Sequence, residues 1–300
     1  MANANRQVKG RVKGETTDSF GSVNEVARHF DSCPASYVAI YSSVNTALTA
    51  FLKRRQSIVM QYLQQLERGR ILDIGCGPGT YARPCIERGF HYVGVDVSNE
   101  MISTAQVEFG HLRGVQFGIA GASQLPFASN SFAGVLCLGV LEYVAPEEEH
   151  ICLQEIARVM KPGGLVVFSF LNARCPYAWF AVYVFPVLKF CLKNARTILM
   201  ATPRVPLSEC SFEGIPTRWF ARSERLKVLR EHGFRISGSN MYFPTVFPPW
   251  LHEKFYRQSC WLSSQLERVL PKFAQGWLST AFIVTAKLPP DSFHTPPPTP

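Results

Sequence analysis

The sequence predicts an α/β fold in which a doubly wound, mostly parallel sheet carries helices on both faces, and three observations predict it. Ile71-Leu-Asp-Ile-Gly-Cys-Gly-Pro-Gly79 is an apolar run that ends in three glycines spaced two apart. The run reads as a buried strand, and Gly75, Gly77 and Gly79 lack the Cβ that would block a close ligand. A second apolar run, His91-Tyr-Val-Gly-Val-Asp96, ends in an acid seventeen residues after Gly79. At that spacing a βαβ unit sets a carboxylate against ribose hydroxyls. From there onward strand-like and helix-like segments alternate, the pattern of a parallel sheet.

Residues 1–19 are polar, hold Arg6, Lys9, Arg11 and Lys13, and read as a disordered basic tail. Residues 20–68 read as an N-terminal helical cap, because Val44, Leu48, Phe51 and Leu52, then Ile58, Val59, Tyr62 and Leu63, recur at helical spacing. Thr80 to Arg88 can start a helix whose amides face the glycine turn. Ser98 can cap a helix through about Phe109, Val115 to Ala120 is a third strand, and Phe132 to Gly139 a fourth. Pro146-Glu-Glu-Glu149 opens a helix with proline in the first turn and acids at the positive end of the dipole, and the helix runs to Lys161-Pro-Gly-Gly164. Leu165 to Phe170 is nearly all apolar, as a doubly buried fifth strand should be.

Two insertions interrupt the second half of the chain. The first, 172–217, delays a helix at Ser223 to His232. A strand at Phe234 to Tyr242 precedes the second, 244–276, which carries Phe247-Pro-Pro-Trp250 and a helix around Phe255 to Leu270 before a last strand at Trp277 to Lys287. The core is thus 69–171 and 218–288, with the insertions forming a helical substrate lid over the strand ends where α/β proteins build their sites. Residues 289–300 hold six prolines and form a disordered tail.

Composition narrows the function classes. Three hundred residues with 47% hydrophobic content bury one substantial core. The net charge of +9 suits nucleic acid or an anionic membrane, but the basic residues are scattered. Nine cysteines without a C-x-x-C pair argue against a disulfide framework and a zinc site, so no metal and a cytoplasmic location are expected. Cys76 is expected to fill the tight turn and not to act as a nucleophile. The polar N-terminus does not read as a secretory signal. The longest apolar stretch, 176–192, contains Pro186 and Lys189 and falls short of the about 20 apolar residues of a membrane span. It reads as a buried lid or as an interfacial segment in peripheral contact with a membrane.

The order Asp73-x-Gly75-x-Gly77-x-Gly79, Asp96, Leu125-Pro-Phe127, Leu141-Glu-Tyr-Val144 and Arg158-Val-Met-Lys-Pro-Gly-Gly164 resembles the class I S-adenosylmethionine-dependent methyltransferases over about residues 70 to 170. The small-molecule branch, with its ubiquinone-biosynthesis O-methyltransferases, looks most similar. The resemblance implies a Rossmann-like, seven-stranded sheet with an antiparallel last strand, and S-adenosylmethionine as cofactor. It implies a cofactor set of Asp73, Gly75, Cys76, Gly77, Gly79, Asp96, Val97, Met101, Gly121, Ala122, Ser123, Leu138 and Gly139. Within it Asp73 helps the ammonium end and Asp96 takes both ribose hydroxyls. Two departures stand out: Gly121 and Ala133 occupy positions where such families usually carry acids.

Tyr37, Tyr41, Tyr143, Trp179 and His252 are the candidate substrate residues. No catalytic base is assigned: His252, Glu209 and Glu213 read first as solvated residues, and Arg54 and Arg55 as helix-surface charges. The aromatics of Tyr177 to Phe185 and Phe243 to Trp250 suit a hydrophobic acceptor. The sequence therefore points to a methyltransferase acting on a hydrophobic small molecule, most simply at oxygen, with no nucleic-acid partner expected. A nucleic-acid methyltransferase and a non-catalytic cofactor-binding scaffold are the alternatives. A nicotinamide-dependent oxidoreductase is weaker still, because position 80 is Thr where its loop carries glycine.

Overall fold

A computed structural model describes residues 22–32, 38, 46–176, 217–244 and 255–289. The tail 1–19 and most of both insertions, including the apolar stretch 177–192, lie outside the described residues, as do the aromatics of 245–250.

Seven strands form one sheet in the order β3-β2-β1-β4-β5-β7-β6. They are β1 (Arg70–Ile74), β2 (His91–Asp96), β3 (Val115–Ile119), β4 (Phe132–Leu138), β5 (Met160–Leu171), β6 (Arg235–Pro244) and β7 (Ser279–Lys287). β1 to β5 pair in parallel, whereas β7 runs antiparallel to both β5 and β6. The helices are α1 (Val23–Asp31), α2 (Ala47–Leu63), α3 (Ala82–Glu87), α4 (Asn99–Phe109), α5 (Pro146–Val159), α6 (Arg222–Glu231), α7 (Tyr256–Val269) and α8 (Lys272–Leu278).

Apolar residues alternate between the two faces of the sheet with the strand period of two. Leu72, Ile74, Val93 and Val95 point into a core roofed by Cys152, Leu153 and Ile156 of α5, while Ile71, Tyr92 and Leu136 point into a second core under Ile58, Val59 and Leu63 of α2. Both faces are dry, which explains why these strands read as continuous apolar runs.

Three boundaries differ from the sequence reading. The helix opened by Pro146 ends at Val159, because Met160 is already extended and pairs with Phe132 before the pairing resumes at Gly134 with Leu165. β5 therefore starts five residues early. The helix after the glycine turn is short, Ala82–Glu87. Trp277 lies in α8 and not in the last strand, which starts at Ser279.

Hydrogen bonds from long side chains tie the later motifs together. The Arg158 guanidinium donates to the carbonyls of Phe127 at 2.6 Å and Leu125 at 3.0 Å, and Glu155 accepts the Leu125 amide at 2.9 Å. One helix thus fixes the Leu125-Pro-Phe127 loop. On the other side of α5, Glu149 is buried and bridges Arg218 at 2.7 Å and Arg225, whose guanidinium lies over the Phe220 ring. Removing the carboxylate would take the shared buried anion from two poorly solvated cations, leaving Arg225 only the exposed Glu224 at 3.4 Å as an acidic partner. Glu149→Ala should therefore lower stability by about 3–5 kcal/mol in urea denaturation; a loss under ~1 kcal/mol would mean that the cluster is solvated in solution.

Candidate functional site

The strand order reverses between β1 and β4, and the ends of these strands diverge to leave a crevice. There a cleft is lined by Gly75, Cys76 and Gly77 after β1, Asp96 and Val97 at and after β2, Gly121, Ala122 and Ser123 after β3, and Leu138 and Gly139 at and after β4. Val23, Val26 and Phe30 of α1 line it as well, and Arg55 of α2 and Tyr143 join them.

Asp96 organises the floor. Its two carboxylate oxygens accept the Gly77 amide at 2.9 Å and the Ser98 amide at 3.0 Å, so one side chain holds the loops after β1 and β2 together. Burial raises its pKa, while the amides of Ser98 and Gly77 pull it down. At 8% exposure it still faces the cleft, and a carboxylate that accepts two bonds has lone pairs left for hydroxyl donors. The Ser98 hydroxyl caps α4 by accepting the Met101 amide at 3.1 Å and donates to Asp31 at 2.6 Å. Asp31 also accepts the Glu100 amide at 3.2 Å. The end of α1 is thereby fastened to the start of α4, next to the cleft.

The glycine turn has two different reasons for its glycines. Gly75 has φ +67°, and a Cβ there would lie 2.4 Å from a Val140 methyl, so no other residue fits beside the cleft. Gly79, with φ +75°, does not line the cleft: a Cβ would lie 2.9 Å from the Phe117 ring and 3.1 Å from Ala105. Its lack of a Cβ lets α4 pack against β3.

Asp73 does not line the cleft either. It is fully buried beneath the turn, where the Tyr92 hydroxyl donates to it at 2.7 Å, and it does not reach the cleft. Burial pushes its pKa up to about 7, opposed by the Tyr92 hydrogen bond and by Arg55. Glu142, after β4, is likewise raised to about 7 by burial; one of its oxygens accepts the Leu171 amide at 3.2 Å. The Cys76 thiol is pushed well above its usual range by burial and by the nearby Asp73 and Asp96 carboxyls, which keeps it protonated and unreactive.

The structure thus brings together Gly75, Cys76, Gly77, Asp96, Val97, Met101, Gly121, Ala122, Ser123, Leu138 and Gly139, with Tyr143 beside them. Tyr37, Tyr41, Trp179 and His252 lie outside the described residues. Of the two departures, Gly121 sits on the cleft with only a Val97 methyl near its absent Cβ, at 3.7 Å, so the missing acid leaves open space. Ala133 sits at the opposite end of β4, against Gly69, and bears on no ligand.

Arg55 is the main correction: it is not a helix-surface charge but 9% exposed on the cleft wall, with its guanidinium 3.5 Å from where a Gly139 Cβ would be. The signal was present, since Leu52, Arg55, Val59 and Leu63 repeat at i, i+3, i+7 and i+11, so position 55 belongs to the packed stripe. Val23, Val26 and Phe30 repeat at i, i+3 and i+7 in the same way. No group of three or more His, Cys, Asp or Glu residues among the described ones is placed to hold a metal.

This geometry sets two expectations. The Asp73 carboxyl has a pKa of about 7 when folded against 3.8 ordinarily, so the folded state binds the extra proton and loses stability as pH rises from about 4 to 7. Asp73→Asn keeps an acceptor for Tyr92 without the charge, and its melting temperature should gain on that of the parent across that window; a constant difference would place the charge elsewhere. Gly75→Ala should cost about 1–3 kcal/mol in denaturant unfolding, and adding Val140→Ala should restore the steric part while leaving the backbone strain.

Residues 72–168 match the family model described as a methyltransferase domain. The chain is 35% identical over 120 residues to the O-methyltransferase rstn1 of Aspergillus nomiae, covering 38% of this chain and 52% of that one. It is 37% identical over 110 residues to the ubiquinone biosynthesis O-methyltransferase of Maricaulis maris, covering 34% and 41%. The matched segment thus spans about half or less of the length of these relatives. Among solved structures, the magnesium protoporphyrin IX methyltransferase of Synechocystis PCC 6803 with bound S-adenosylhomocysteine superposes with a TM-score of 0.56 at 18% identity, over 89% of this chain and 99% of that one, a likeness of fold. With the sheet order, the glycine turn and the acid at the end of β2 already in place, this match makes residues 72–168 similar to a methyltransferase domain.

Proposed function

We propose that the protein transfers a methyl group from S-adenosylmethionine to an oxygen of a hydrophobic small molecule. The observation that carries the reading is Asp96: a buried carboxylate that joins two loops and still faces a cleft at the switch point of the sheet. The cleft suits a nucleoside amino acid. Apolar Val97, Met101 and Ala122 border the open space at Gly121, where a flat base fits; Asp96 has lone pairs for ribose hydroxyls; Arg55 offers a cation to a carboxylate. When bound, S-adenosylmethionine supplies a methyl group on a sulfonium, and the protein's share is placement and exclusion of water. Phe30 and Tyr143, edge to face at 5.6 Å, together with Val23 and Val26, form an apolar wall for that purpose.

Transfer to oxygen and the hydrophobic acceptor are supported by the two relatives above, both named O-methyltransferases and one of them for ubiquinone biosynthesis. The rival readings separate in solution. Titration calorimetry with S-adenosylhomocysteine should show saturable binding, and Asp96→Ala should weaken it at least about 100-fold, or ~2.7 kcal/mol, with an unchanged circular dichroism spectrum. Unaltered affinity in that variant would remove Asp96 from the site. Turnover of catechol-type acceptors that is insensitive to salt supports the small-molecule reading, whereas steeply salt-dependent RNA binding would favour a nucleic-acid substrate.

A further inference from the structure

The surface of α7 inverts the usual pattern of a packed helix. Ser259 and Ser263 are buried, whereas Arg257, Trp261, Ser264 and Arg268, exposed at i, i+4, i+7 and i+11, form one outward stripe. Trp261 is 64% exposed, Val269 at the last position of the helix 78%, and Trp277 of α8 62%. Scattered single hydrophobics on a surface are ordinary, but a tryptophan set between Arg257 and Arg268 on one exposed helix stripe, with Val269 at its end, is an amphipathic pattern. The serines let α7 lie close to β6, where Ser263 donates to the Pro244 carbonyl at 2.5 Å, and so leave the large side chains outside.

The stripe adjoins a second cleft, between α2, α6, β6, α7 and α8 and apart from the first. Arg54, Arg222, Arg268 and Lys272 line it against one acid, Glu267, which Arg54 engages at 2.5 Å. Ser264 and Arg268 belong to both features, so the basic cleft opens beside the tryptophan stripe. No described helix is long and apolar enough to cross a membrane. Indole rings favour the boundary between headgroups and acyl chains, and arginine and lysine beside them favour anionic headgroups. A second copy of the chain would bring the same positive cleft against this one, and an electroneutral partner would leave it uncompensated.

We propose that the outward face of α7 docks on an anionic phospholipid surface, with Trp261 at the headgroup boundary and a lipid phosphate in the adjoining basic cleft. The inference is independent of the methyl-transfer reading, and its test reads no turnover.

Cosedimentation of the full chain with vesicles should show binding to phosphatidylcholine mixed with phosphatidylglycerol and not to phosphatidylcholine alone, and added salt should weaken it. Trp261→Ser should reduce the affinity roughly tenfold, and Arg268→Glu with Lys272→Glu at least about tenfold. All three positions are exposed. Binding is overturned as a lipid contact by failure to sediment with either vesicle, by equal binding to neutral vesicles, or by variants that bind as the parent does. It is equally overturned by a concentration-dependent dimer that Trp261→Ser dissolves, or by RNA or inorganic phosphate binding the cleft without any vesicle binding.

Discussion

The cleft at the switch point of the sheet depends on one carboxylate holding two loops. Asp96 accepts the Gly77 and Ser98 amides, which belong to the turns after β1 and β2. Both turns need such a restraint: a loop of glycines has high conformational freedom, and the start of a helix leaves amides without intrahelical partners. A hydrogen bond to a charged group is worth more than a neutral one, so a single buried acid fixes both. The same residue borders the cleft. Structural and ligand-facing roles therefore share one side chain, and the site forms only where the fold around it has formed.

A second line of restraint runs outward from that point. Ser98, next to the Asp96 hydrogen bond, caps α4 and donates to Asp31, and Asp31 in turn accepts the Glu100 amide. The end of α1 is fixed against the positive end of α4, a favourable place for an acid. Val23, Val26 and Phe30 then face the cleft along one stripe. On the opposite wall, Arg55 lies near two buried acids, Asp73 and Glu142, whose pKa values are both raised by burial and lowered by its charge. A cation beside poorly solvated carboxyls is held in place by the cost of leaving either sign unpaired.

The sheet was legible in the sequence because its physics is local. The inner strands β1, β2, β4 and β5 are buried on both faces, so they appear as apolar runs such as Leu165 to Phe170, and the turns between carry glycine, proline or a capping serine. What was illegible depended on neighbours far along the chain. Arg55 reads as a surface charge until β4 is set beside α2; Gly79 reads as a ligand glycine until Phe117 occupies the space where its Cβ would be. Trp277 reads as strand because nothing nearby marks the end of α8. Asp73 belongs to the same class, since only the pairing of β1 with β2 brings Tyr92 within hydrogen-bond reach.

That contrast bears on what a motif means. Of the motifs that identify the domain, Gly75, Gly77 and Asp96 border the cleft, but Arg158 reaches back to the Leu125 and Phe127 carbonyls, and Gly163 and Gly164 pair with Leu288. The second group does not line the cleft. Gly163 donates to the Leu288 carbonyl at 2.8 Å and Leu288 donates to Gly164 at 3.2 Å, which joins the start of β5 to the end of β7 and closes the antiparallel half of the sheet onto the parallel half. Arg158, at the end of α5, fixes the loop that runs on from Gly121 and Ala122, where the cleft is open enough for a flat base. Residues that touch nothing in the site thus set the width of its far end. Substitutions at Arg158 or Gly163 act on the site through the position of that loop and that strand junction, whereas substitutions at Gly75 or Asp96 act on the cleft directly.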